Sequence, residues 1–283
     1  MLAACLSAEI AAETAGRRLW ALQAELAPLT QSKKGVTSGL PDVSRDLSSE
    51  VLLSPKSCRL NLPSPSPDPV MAYSPRLFLI TPPVADAPSF APLLSAALSA
   101  ADVACVLLRI AARDEHGIKA VVRVLAPIVQ RSDAAVLVEQ EARLAARLDV
   151  DGVHVMGAGL LFEEALGALK PNKIVGVGGL DGRDAAMAAG EAGADYLMFG
   201  APEDAGAAAA PHDSVLGLVA WWAEIFNVPC VGYVRHPERA GEIAAAGAEF
   251  IGLCDGLWEH PEAIVATLTA VSKAIVPLTE NVP

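Results

Sequence analysis

No apolar run in the 283-residue chain reaches the 18 or more residues of a membrane span, and the expectation is a soluble protein without a membrane partner. Positive charge is also short. There are 21 Lys and Arg against 33 Asp and Glu, a net −12, so nucleic-acid binding through clustered cations is excluded. The five cysteines, Cys5, Cys58, Cys105, Cys230 and Cys254, lie far apart without a CxxC pair. That spacing argues against a disulfide framework or zinc ribbon and for a reducing, cytoplasmic setting. Aromatic residues make up only 5% of a chain that is 53% hydrophobic. GxSxG, Walker A, HExxH and GxGxxG are all missing, which leaves serine-hydrolase, nucleotide and zinc readings without support.

The charge is unevenly spread. Residues 1–70 hold seven basic and seven acidic side chains, whereas residues 71–283 hold 14 and 26. Within the first part, 8–26 has the spacing of an amphipathic helix through Ile10, Leu19, Leu22 and Leu26. The alternating prolines ending at Pro69 favour an extended linker over about 27–75. Residues 1–75 are therefore expected to be a disordered leader, or an over-called reading frame with Met71 as the biological start. Residues 76–276 form the domain and 277–283 a tail.

From residue 76 short aliphatic runs alternate with alanine-rich helical stretches. Strands are expected at 76–80, 103–110, 134–139, 152–155, 173–177, 195–199, 230–234 and 249–254. Helices are expected at 88–100, 114–131, 141–148, 161–169, 181–192, 214–226, 237–246 and 261–274. Continuous apolar strands imply burial on both faces, as in a parallel sheet. Eight βα units favour an α/β fold of the closed (β/α)8 TIM-barrel type over an open doubly wound sheet. An internal echo fits this reading. Asp151, Asp195 and Glu249 each follow a small or turning segment and precede a buried strand, which is αβ-loop chemistry rather than a functional motif.

A barrel of this kind places its site at the C-terminal strand ends. Arg109, after strand 2, suits a phosphate or carboxylate, or a pair with Glu139 on the next strand. Glu139 could bind Mg²⁺ or act as a base, while Gln140 and Glu141 could instead open the following helix. His154 fits a satisfied interior histidine better than a catalytic one. Gly178 and Gly179 would let backbone N–H groups approach an anion, or simply make a turn. Arg235 and His236 after strand 7, with Asp255 and Gly256 after strand 8, mark the usual phosphate position of the fold, although Asp255 would repel a phosphate. The adjacent Trp221 and Trp222 offer a patch for a homo-oligomer, with one ring packed on the barrel instead.

Taken together, residues 76–270 resemble the thiamine phosphate synthase family, including its thiazole-tautomerase-like branch. The stretches that carry the resemblance are Arg76-Leu-Phe-Leu-Ile-Thr81, Val138 to Val155, Ile174-Val-Gly-Val177, Ala192 to Gly200 and Val228 through Ala248. The resemblance implies thiamine biosynthesis. In the family reaction a pyrimidine methyl diphosphate is transferred to a thiazole phosphate with Mg²⁺, releasing pyrophosphate. Of the family's Gln-x-Arg-x-Lys after strand 2 only Arg109 remains. An Asn-Asp pair becomes Glu139-Gln140, the strand 4 metal carboxylate falls near Gly159, and a Ser-x-His becomes Gly178-Gly179-Leu180. The lysine loop after strand 6 reads Ala201-Pro-Glu-Asp-Ala-Gly206, and the Gly-Gly and Ser after strands 7 and 8 become Val234-Arg235 and Asp255. The expectation is a family member with reduced or lost transferase activity, no retained metal ligands and a small phosphorylated partner. Two alternatives stand beside it, a non-catalytic binder or regulator and a barrel with a different reaction.

Overall fold

Eight parallel strands close in the order β1 to β8, with β8 paired back onto β1, in the computed structural model of the chain. It describes residues 74–139, 141–180, 182–203 and 210–276. The strands are β1 (Arg76–Ile80), β2 (Val103–Leu108), β3 (Ala135–Glu139), β4 (Gly152–Met156), β5 (Ile174–Gly178), β6 (Tyr196–Phe199), β7 (Cys230–Val234) and β8 (Phe250–Leu253). One helix follows each strand: α1 (Ala87–Ala100), α2 (Glu115–Gln130), α3 (Ala142–Ala145), α4 (Leu160–Leu169), α5 (Arg183–Glu191), α6 (His212–Ile225), α7 (Ala240–Ala245) and α8 (Ile264–Ala274). The fold is the (β/α)8 barrel expected from the sequence. The expected leader helix, the Met71 start and the 277–283 tail lie outside the described residues.

Period-two alternation divides each strand between two hydrophobic clusters. Leu77, Leu79, Val106, Leu108, Val136 and Val138 pack outward with helix residues such as Leu94, Leu125 and Phe162. Phe78, Ile80, Cys105, Leu107, Leu137, Tyr196 and Met198 fill the interior. Phe78, Tyr196, Tyr233 and Phe250 are the aromatic side chains of that interior, and Tyr196 needs room made for it. Gly176 supplies it, because a Cβ there would lie 2.0 Å from the Tyr196 ring.

The acidic echo has a structural role. Asp151, ahead of β4, accepts the Val136 N–H at 2.7 Å. Asp195, ahead of β6, accepts that of Val175 at 2.7 Å, and Glu249, ahead of β8, that of Cys230 at 2.8 Å. Each acid thus satisfies a backbone donor at the start of the preceding strand, which burial would otherwise strand without a partner. Burial raises the pKa of both Asp151 and Glu249. Gly193 and Gly247 turn the chain with φ of 101° and 98° just before two of these acids.

Several boundaries differ from expectation. β2 stops at Leu108, and Ile110 instead forms an isolated parallel bridge with Val84. α3 spans only Ala142–Ala145, and its Glu141 cap position makes no side-chain capping bond. The helices after β7 and β8 open with 3₁₀ turns, Pro237–Arg239 and Pro261–Ala263. Where Asp86 and Asp114 accept N–H groups from Ser89 and Gly117, α1 and α2 run their full length. Trp222 is buried and donates its indole N–H to Val228 O at 2.7 Å, whereas Trp221 is half-buried under the Arg183 guanidinium at 4.8 Å.

Candidate functional site

At the β1–β3 arc of the mouth, local bonding fixes the end of β2. The Arg109 N–H donates to Thr81 Oγ1 at 3.0 Å, and the Arg109 carbonyl accepts the Val84 N–H at 2.9 Å. The Arg109 side chain is turned inside, only 6% exposed, with Nε 3.6 Å from Glu139 Oε1 on β3. The structure therefore brings Arg109 and Glu139 together as an ion pair. Gln140 lies outside the described residues.

The barrel floor below the mouth carries His154. Its Nδ1 and the Tyr196 hydroxyl are 2.8 Å apart, and the two rings stack with centroids 5.7 Å apart. Burial pushes the imidazole down to about 4, so the ring is neutral at physiological pH. Gly178 is buried at the end of β5, and a Cβ there would lie 2.7 Å from His154 Nε2. Gly179 turns with φ of 62°, with Met156 Cε 2.8 Å from where a Cβ would stand. Both glycines thus have a packing reason for their missing side chains, in contact with His154 and Met156.

The third arc, at β6–β8, holds a cavity of about 310 Å³. Tyr233, on the inner face of β7, donates its hydroxyl to Asp255 Oδ2 at 2.6 Å. The Asp255 and Glu203 N–H groups close the cluster, donating to Tyr233 Oη and Asp255 Oδ2, each at 3.3 Å. Burial first, and then the bond to Asp255, push the Tyr233 phenol far up, so it stays a donor. Arg235 is half exposed and ion-paired with Glu203. Arg239 engages Glu242 through two nitrogens at 2.9 and 2.8 Å, and His212 Nε2 lies 3.2 Å from the same carboxylate. His236 is exposed, with Nδ1 3.9 Å from Glu238. At Gly256 φ is 66°, and a Cβ would meet the Arg235 carbonyl at 3.1 Å, so this glycine allows the β7 and β8 loops to close on each other.

Sequence reasoning thus located Arg235, His236, Asp255 and Gly256 on one arc and Arg109 and Glu139 on another. It assigned no role to Tyr233, His212 or Arg239. Tyr233 stands two residues before Arg235, and its period-two relation to that position was a usable signal. His212 and Arg239 come from helix starts, where strand periodicity carries no information. The Mg²⁺ implied by the family resemblance does not fit the described residues. Of the two strand ends that the resemblance assigns to the metal, β3 offers Glu139, which is ion-paired with Arg109, and β4 reads Met156-Gly-Ala-Gly159 without a carboxylate.

The family model for thiamine monophosphate synthase, TMP-TENI, matches residues 77–257. The chain is 40% identical over 201 residues to the thiamine-phosphate synthase of Rhodospirillum centenum, covering 71% of this chain and 97% of that protein. It is 32% identical over 201 residues to the thiamine-phosphate synthase of Hyphomonas neptunium, covering 69% of this chain and 91% of that one. Among solved structures, thiamine phosphate pyrophosphorylase from Pyrococcus furiosus superposes with a TM-score of 0.58 at 19% identity, covering 72% of this chain and 98% of that chain, a likeness of fold.

Proposed function

The chain belongs to the thiamine monophosphate synthase family, and on that premise we propose that it binds a small phosphorylated ligand at the barrel mouth and has lost most of the family's metal-assisted diphosphate transfer. The observation that carries this reading is the burial of Arg109 against Glu139. Arg109 is buried and already engages a carboxylate, and that contact would have to be broken to turn the guanidinium onto a diphosphate, which opposes its redeployment. Around that pair, positions matching the family's polar and charged groups read Leu107, Ala111, Gly159 and Ala201. Loss of a single group that stabilises developing charge costs about 10²–10³ in rate. Binding retains support on the opposite arc, where Arg235, Arg239 and His212 border the cavity.

A working synthase is the second reading, favoured by 40% identity across 97% of the Rhodospirillum centenum thiamine-phosphate synthase. One experiment separates the two. The protein is mixed with the pyrimidine methyl diphosphate, the thiazole phosphate and Mg²⁺, and thiamine phosphate and pyrophosphate are measured. The proposal expects product at least a hundredfold below the ordinary enzyme range of roughly 1–10³ s⁻¹. Turnover within that range overturns it and establishes the synthase. Calorimetry with the thiazole phosphate alone then reports binding. Its heat should vanish in Arg235→Ala, and an unchanged affinity would remove Arg235 from the site.

A further inference from the structure

We propose that the ligand of the β6–β8 cavity is a phosphomonoester that also carries an ammonium group, with the phosphate at Arg235 and the ammonium at Asp255. The inference rests on the phosphate-binding reading above and names the ligand class for the same cavity.

Charge on the cavity wall is balanced rather than basic. Arg235 faces Glu203, its ion-pair partner, and Arg239 is engaged by Glu242. Asp255 projects into the same cavity. A bare phosphate dianion drawn to Arg235 would lie beside the Glu203 carboxylate already paired with that guanidinium and near a second carboxylate, Asp255. Such a wall is complementary to a ligand of mixed charge, because an ammonium turns the two carboxylates from repulsive into attractive neighbours.

The bonding of Asp255 supports the assignment. Both of its side-chain hydrogen bonds, from the Tyr233 hydroxyl and the Glu203 N–H, end on Oδ2. They fix the orientation of the carboxylate and leave Oδ1 as an acceptor without a partner among the described residues. Tyr233 stays a neutral donor, so it holds the carboxylate in place without cancelling its charge. An ammonium brings three donors on a compact charge and suits a single oxygen acceptor of this kind. A volume of about 310 Å³ is at the small end of the range for ligand pockets and suits a short aminoalkyl phosphate.

The test measures the affinity of the full-length protein for phosphoethanolamine, ethyl phosphate and inorganic phosphate by calorimetry. Phosphoethanolamine is expected to bind about tenfold more tightly than ethyl phosphate, with the advantage lost in Asp255→Asn and reduced in Glu203→Gln. The asparagine variant keeps an oxygen for Tyr233, and Glu203→Gln provides a second arm if Asp255→Asn fails to fold. Equal affinity for the two esters, or a preference for ethyl phosphate, overturns the proposal and leaves the phosphate reading standing. Absence of binding by all three overturns the phosphate reading and the proposal with it. An ammonium preference that survives both substitutions also overturns the assignment to Asp255.

Discussion

Arg109 and His154 are both charge-capable side chains inside an apolar wall, and each makes a separate prediction. For Arg109, removing the Glu139 carboxylate takes a compensating charge from a buried guanidinium and costs about 1–3 kcal/mol. Glu139→Gln should therefore lower stability by about that amount in denaturant unfolding, while the double substitution Arg109→Met with Glu139→Gln should recover much of it. A single-variant loss under half a kilocalorie would show that the pair is solvated and contributes little. For His154, the pH dependence follows from burial. The unfolded chain takes up a proton near pH 6.5, whereas the folded imidazole stays neutral until about 4. Between these values the unfolded state binds more protons, so stability is full above pH 6.5 and is lost as pH falls towards 4. The span corresponds to about 3 kcal/mol. Relative to His154→Gln, the native protein should lose that much stability between pH 7 and pH 4. Parallel curves for the two proteins would mean that the folded ring takes up its proton at the same pH as the unfolded chain.

At the scale of elements, the barrel is held at its N-terminal end by three carboxylates that each cap a neighbouring strand. Asp195→Ala would leave the Val175 N–H buried without its acceptor and would also release Lys170. The expected cost is about 1–3 kcal/mol, read as a lower thermal midpoint, and Asp195→Asn, which keeps an acceptor oxygen, should lose less. A drop as large for asparagine as for alanine would assign the effect to the Lys170 ion pair. These acids were visible in the sequence as a repeated pattern because the same turn recurs at a fixed offset from each strand. Their hydrogen-bond partners were not, because Val136, Val175 and Cys230 lie on other strands, placed by register. The same distinction explains the rest of the reading. Continuous aliphatic runs located all eight strands, and Arg109 with Glu139 followed from adjacency of consecutive strand ends. The shortening of α3 and the 3₁₀ openings at Pro237 and Pro261 depend on how each helix settles against the barrel, which local propensity does not encode. Nor did strand order alone reveal that Arg235 would be met by Glu203, whose approach depends on the conformation of a loop.

At the scale of the whole molecule, the excess of negative charge lies in the segment that contains the barrel, with 14 basic and 26 acidic residues after residue 70. A barrel with this field repels an approaching phosphate dianion, while Arg235 and Arg239 attract it only over the last few ångströms. Salt separates the two ranges, because the Debye length shrinks from about 30 Å at 0.01 M to about 8 Å at 0.15 M. Raising ionic strength over that interval screens the distant carboxylates more completely than the cations at the cavity wall. The association rate constant for inorganic phosphate, followed by stopped flow, should therefore rise with salt, the reverse of the fall seen for a basic binding face. A fall would show that the local cations dominate the approach as well as the contact. Phosphoethanolamine, whose ammonium offsets part of the phosphate charge, should respond less steeply than phosphate, because the global field acts on net charge whereas Asp255 and Arg235 act on its two ends separately.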